Sequence, residues 1–179
     1  MWIAVAVVLL TNLFRFATLD YAEAGAPTVV AWLVAGLCIG FAEELLTRGF
    51  VVNLMRRAGH SEIVVAVTSA AIFAGLHTGN AFGGQPILAT AFQVFYTFAF
   101  GICMYLALRV TGNIIWPILL HATTDPSIFL LTAYPGSSPL TPIAGLGNIV
   151  VIITGLALVG FIRGRVSPKA VDVGEAVPV

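Results

Sequence analysis

Apolar residues run through this chain in long stretches, and short polar segments divide them. Six stretches approach or exceed the roughly 20 residues that a helix needs to cross a bilayer. They cover 1–19, 28–55, 61–82, 86–110, 113–133 and 141–163. The second is longer than one crossing requires, which predicts a tilted helix or one that leaves the bilayer near Arg48. The first carries Asn12 and Arg15 and is the least regular of the six. The last segment, 164–179, reads "GRVSPKAVDVGEAVPV" and is predicted to be a disordered tail. There is no internal repeat and no sign of a second domain. The predicted fold is all-α: a single transmembrane helical domain over 1–163, with about six membrane helices around a polar interior.

Composition agrees with that reading. Of 179 residues, 59% are hydrophobic and 9% charged, too few charges to cover a water-soluble surface. Mean hydropathy is +1.02. The net charge is zero, and no basic aromatic motif is present, so no nucleic-acid partner is expected; the lipid bilayer is. Cys38 and Cys103 lie in apolar runs and read as packed thiols rather than as a disulfide or metal pair. The opening "MWIAVAVVLL" lacks the basic start and small-residue cleavage site of a signal peptide, so it reads as a membrane span.

Basic residues alternate between the connecting segments. Arg56 and Arg57 follow the second span, Arg109 ends the fourth, and Arg163, Arg165 and Lys169 follow the sixth. The intervening loops "DYAEAGAP", "TGNAFGGQP" and "AYPGSSPLTP" have no Lys or Arg. The positive-inside rule then places both termini in the cytoplasm, as expected for a bacterial-type plasma membrane. Arg15, near the outer end of the first span, departs from the rule.

Ionisable residues inside spans cost about 2.5–3.5 kcal/mol each by insertion scales and are functional candidates by default. Here they are Glu43, Glu44 and Arg48 in the second span, His77 in the third, and His121 and Asp125 in the fifth. By helical rise, Glu43 lies about 18 Å from Met55, His77 about 21 Å from Ile63, and His121 and Asp125 about 12 and 18 Å from Asn113. Three helices thus carry their polar groups at similar depth, which points to one shared site.

Spacing divides these groups by face. Glu44 and Arg48 are four apart and form a salt bridge, while Glu43 points about 100° away, free to act as a base. Phe73 lies four residues before His77 and packs beside its ring. His121 and Asp125 are four apart, so that Asp125 orients the imidazole. Pro126 frees the Ala122 carbonyl and is expected to bend the helix, and Pro117 to do the same earlier. Gly36 and Gly40 form a GxxxG step that permits close helix approach. Competing readings make Glu43, Glu44 and Arg48 one structural ion cluster, His77 a core histidine bonded to a carbonyl, and Asp125 the cap of a broken helix.

The assembled pattern, Glu43-Glu44-x-x-x-Arg48, Phe73-x-x-x-His77 and His121-x-x-x-Asp125, resembles the CPBP family of intramembrane proteases, named for CAAX proteases and bacteriocin-processing enzymes and also called Abi. The motifs cover 42–125. The family often has more spans than this chain, which looks short at its N-terminus. The resemblance implies peptide-bond hydrolysis in a membrane cavity, with a membrane-associated protein or peptide, CAAX-type prenylated in one branch, as substrate. It implies that Glu43 with His77 activates water and that His121 and Asp125 stabilise the oxyanion. Glu44 and Arg48 would hold the helix and site, with Phe73 beside them. The family pattern more often has Asn where this chain has Asp125, and an ionised Asp cannot donate to an oxyanion.

The cofactor expectation is none, or zinc. In the zinc version Glu43, His77, His121 and Asp125 would be the ligands, with an open water position. The chain has no HExxH, and the metal-independent chemistry is preferred. Two other classes of function compete: a non-enzymatic immunity or scaffold protein, and a small transporter using Glu43, Glu44 and the histidines as a proton relay. The absence of paired inverted repeats weighs against the transporter.

Overall fold

A computed structural model describes residues 1–165. Residues 166–179, most of the predicted tail, lie outside the described residues. The chain forms α1 (Trp2–Ala17), α2 (Tyr21–Ala24) and α3 (Ala26–Glu44), followed by a π-helical stretch (Leu45–Val51) that runs into α4 (Val52–Arg57). Next come α5 (Glu62–Leu76), a 3₁₀ turn (His77–Ala81), α6 (Ile87–Thr111), α7 (Ile115–Ala133), α8 (Thr141–Gly145) and α9 (Gly147–Val159).

Among the described residues four helical runs are long and apolar enough to cross a membrane: Ala26–Arg57, Glu62–Ala81, Ile87–Thr111 and Thr141–Val159, the last with a turn at Leu146. Trp2–Ala17 is apolar but shorter. The 19 residues of α7 include the polar stretch His121–Ser127 except for Ala122 and Pro126. The fold is all-α, and each predicted span corresponds to a helix within a few residues. The outer surface bears apolar side chains, among them Leu33, Val34, Leu37 and Phe41 on α3 and Ile149, Val150 and Ile153 on α9. Exposed apolar area on that scale suits lipid rather than water.

At the centre stands α6, whose residues from Ala99 through Ala107 are all buried. A helix that is apolar all round belongs inside a bundle. It packs against α1, α5, α7 and α9. Gly112, left-handed at φ 67°, ends it and donates its N–H to the Leu108 carbonyl at 2.8 Å. The turn into α5 is tied by Arg56, whose Nε and Nη2 reach Glu62 at 2.9 and 2.7 Å. The Tyr105 hydroxyl of α6 donates to the same carboxylate.

The most extensive helix pair is α3 with α7, and the GxxxG step forms its seam. A Cβ at Gly36 would meet the Ala122 carbonyl and Pro126, and one at Gly40 would lie 2.9 Å from the Ala122 nitrogen. Gly36 therefore rests on the carbonyl that Pro126 deprives of its helical donor. Gly40→Leu is expected to force α3 off α7 at a cost of about 3 kcal/mol. Thermal unfolding in detergent measures this; an unchanged melting temperature would contradict the seam.

Three local details refine the sequence reading. The second span is not one uninterrupted α-helix, because the chain widens to π geometry directly after Glu44. Helix α7 continues through Pro126 to Ala133, so Asp125 does not cap a broken end, and Pro117 sits in the first turn, where a missing N–H is harmless. Both cysteines are free, but Cys38 is exposed and only Cys103 is packed.

Candidate active site

Glu43 and Glu44 are the last two residues of α3, and the π-helical stretch carries Arg48. Widened turns of this kind cluster at functional sites because they shift side chains that a regular helix would stack. Thr47, within it, donates its hydroxyl to the Glu43 carbonyl at 2.6 Å, and its own carbonyl accepts from the Ser69 hydroxyl at 2.9 Å. The π stretch is thereby pinned to α5.

The expected division of the charges is present in the geometry. Arg48 Nη1 lies 3.1 Å from Glu44 Oε1, and both side chains are fully buried. Arg48 also donates to Thr47 Oγ1 at 2.6 Å and, through Nη2, to the Gly101 carbonyl at 2.7 Å. Gly101 is required there, since a Cβ would come within 3.0 Å of Arg48 Nη2 and of Ala70. Glu43 makes no such pair. Its side chain is 26% exposed, and its Oε2 is buried without a hydrogen-bond partner among the described residues.

From α7, His121 enters this cluster at 2% exposure. Its Nδ1 lies 2.9 Å from Glu44 Oε1. A carboxylate that also receives Arg48 can only accept, so Nδ1 carries the proton and Nε2 is turned towards the other acids. Nε2 is 3.6 Å from Asp125 Oδ2 and 3.9 Å from Glu43 Oε2. Sequence spacing paired His121 with Asp125. The short hydrogen bond instead belongs to Glu44, and Asp125 flanks the opposite nitrogen.

Aromatic rings fix the histidines. His121 stands edge-on to Phe73, with centroids 5.5 Å apart, and to Phe100, at 5.2 Å. Phe73 also meets His77 edge-on at 5.1 Å and carries the Arg48 guanidinium 4.6 Å over its face. His77 opens the 3₁₀ turn after α5 and is half-buried. Its Nδ1 is 3.0 Å from the Phe73 carbonyl. A carbonyl accepts only, so Nδ1 carries a proton, and in the neutral ring Nε2 keeps its lone pair. No described carboxylate lies within ion-pair distance of His77. His77 joins the cluster through Phe73, whose ring meets both His77 and His121, and His121 in turn reaches Glu43 at 3.9 Å.

All seven residues singled out in the sequence thus meet in one region built from α3, the π stretch, α5 with its 3₁₀ turn, and α7. Sequence reasoning missed Phe100 and Gly101 on α6, which complete the walls, and the Glu44–His121 bond. Among the described residues no three His, Cys, Asp or Glu side chains are gathered to hold a metal ion. Chemically, the arrangement offers a carboxylate with an unpartnered oxygen, an imidazole lone pair, and a second imidazole clamped among acids.

The model of a family described as Type II CAAX prenyl endopeptidase Rce1-like matches residues 25–126, more than half the chain and the whole of the region from Glu43 to Asp125. No curated protein and no solved structure matches the chain.

Proposed function

The chain belongs to the Type II CAAX prenyl endopeptidase Rce1-like family, a family of CAAX-type endopeptidases, and we propose that this integral membrane protein hydrolyses a peptide bond with Glu43 as the base. The carrying observation is the separation of the two glutamates. Glu44 is fully buried with its Oε1 bonded to both Arg48 and His121, whereas the Glu43 side chain is 26% exposed and its Oε2 has no hydrogen bond among the described residues, His121 Nε2 standing 3.9 Å away. The substrate class is a membrane-associated peptide or protein bearing a C-terminal C-a-a-X sequence.

In the proposed reaction a water sits between Glu43 and His77. Glu43 takes one of its protons, and His77 Nε2 accepts a hydrogen bond from the other. The hydroxide attacks the scissile carbonyl. The tetrahedral oxyanion receives a hydrogen bond from Nε2 of His121 in its doubly protonated form, with Nδ1 bonded to Glu44. With Glu43 protonated, the two carboxylates left beside this imidazole, Glu44 at 2.9 Å and Asp125 at 3.6 Å, supply the negative charge that balances that cation. Asp125 thus serves as an ionised carboxylate beside His121⁺, without needing to donate. Protonated Glu43 then passes its proton to the leaving amine, and the C–N bond breaks. Water is consumed, and an acid and an amine are released.

The proposed steps use water and this chain's own side chains alone, and zinc held by Glu43, His77, His121 and Asp125 is the alternative that the test below separates from them. On this reading the alternation of basic residues puts the connections carrying Arg56 and Arg109 on the cytoplasmic side.

The test is cleavage of an internally quenched peptide ending in C-a-a-X by the purified protein, with and without a chelator. Turnover is expected in both conditions. No cleavage would overturn the endopeptidase reading. One equivalent of zinc, lost together with activity, would replace the metal-independent chemistry by the zinc-dependent version.

A further inference from the structure

Arg15, the residue of α1 that breaks the charge rule of the loops, is 2% exposed. A buried guanidinium is ordinarily matched by a carboxylate. Here no carboxylate of the described residues lies within ion-pair distance. Its partners are neutral: Asn148 Oδ1 at 2.7 Å from Nη2 and Ser127 Oγ at 3.5 Å from Nη1. Room for the group is built in, since a side chain at Gly147 would strike its Cζ and Nη2. Tyr96 of α6 stands beside Arg15, out of hydrogen-bond geometry, and its hydroxyl is buried with no partner among the described residues. Tyr96 is 7% exposed, and its ring stacks on Phe100 at 5.9 Å, the same Phe100 that holds His121. Two buried donors thus stand next to the proposed active site, and the cationic one has no carboxylate within ion-pair distance among the described residues.

From this we infer that Arg15 and the Tyr96 hydroxyl receive the terminal carboxylate of the peptide released by cleavage. The inference rests on the endopeptidase reading and adds what selects the substrate's end. A C-a-a-X motif is a chain terminus, so cutting after the cysteine releases three residues that end in a free carboxylate. Extended, those residues span about 10 Å. Ser127, which Arg15 touches, lies six residues along α7 from His121, or about 9 Å by helical rise. That axial offset along α7 is of the same order as the length of a three-residue leaving peptide. A cation read in this way rejects internal bonds of a longer chain, which offer no carboxylate at that distance. Arg15 lies outside the matched stretch 25–126, whereas Tyr96 lies within it.

The experiment compares acid and amide ends. N-acetyl tripeptides with a free carboxylate or a carboxamide are titrated onto the wild-type protein in detergent, and matching C-a-a-X reporters are tested for cleavage. The acid is expected to bind about ten-fold or more tightly than the amide, and the amide reporter to show a correspondingly raised KM. Arg15→Gln should erase the difference in both assays, Arg15→Lys should restore part of it, and Tyr96→Phe should narrow it. Equal binding of acid and amide by the wild type would overturn the inference even if both reporters are cleaved. An acid–amide preference that survives in Arg15→Gln would do the same, and would leave Arg15 a purely structural tie between α1, α7 and α9. Should Arg15→Gln fail to fold, the wild-type comparison and Arg15→Lys still decide. Binding that discriminates acid from amide, without cleavage of either reporter, would support the carboxylate site and count against the endopeptidase reading instead.

Discussion

Glu43→Gln is expected to lower kcat by about a thousand-fold, while the protein stays folded with an unchanged melting temperature. Glutamine matches glutamate in shape, and Glu43 Oε2 has no hydrogen-bond partner to lose. The side chain is also partly exposed, so the neutral amide brings no packing change. What disappears is the only carboxylate of the cluster not already hydrogen-bonded to Arg48 or placed beyond the imidazole on α7. KM should change little, because the proposed Glu43 contact is to water rather than to the peptide. Steady-state cleavage of the quenched reporter measures both constants. Turnover within about ten-fold of wild type would remove Glu43 from the role of base.

Glu44→Gln is expected to damage stability and activity together. Glu44 Oε1 serves Arg48 and His121 at once, at 3.1 and 2.9 Å, in a fully buried setting. The amide leaves the Arg48 guanidinium without its anion, and losing one partner of a buried pair costs about 3–5 kcal/mol. It also removes the carboxylate that holds the His121 proton on Nδ1, which should lower kcat by about a hundred-fold or more. The two effects separate in a double variant. Glu44→Gln with Arg48→Met removes both charges, so much of the melting temperature should return while activity does not. Recovery of activity with stability would show that Glu44 acts only through folding.

Much of this was legible because helices place residues four apart on one face. The Glu44–Arg48 bridge, the contact of Phe73 with His77 and the nearness of His121 to Asp125 all follow from that rule, as does the GxxxG seam of α3 on α7. The spans were legible for a related reason: a bilayer demands long apolar runs, and such runs are written in composition. Contacts between helices were harder to read. Glu44 and His121 are 77 positions apart, and spacing offers no reason to prefer Glu44 over Asp125 as the partner of the ring. Phe100 is one of several aromatics on α6, and nothing in its neighbourhood sets it apart until His121 is placed against it. The π stretch depends on the Thr47 hydroxyl bonding back to Glu43 and on Ser69 reaching across from α5, a tertiary effect on local geometry. Arg15 registered in sequence only as a departure from the charge rule, because its neutral partners Ser127 and Asn148 become neighbours only in the bundle.

The central claim is that water, activated by Glu43, attacks the peptide bond directly. The most direct measurement is one turnover of the purified protein on a C-a-a-X peptide in water enriched in heavy oxygen. Mass spectrometry then follows the new carboxyl of the product and the Glu43-containing peptide of the protein. The account predicts a single heavy oxygen in the product carboxyl and none on Glu43. Heavy oxygen on Glu43, or a product formed without it, would show that Glu43 attacks as a nucleophile and would contradict the account.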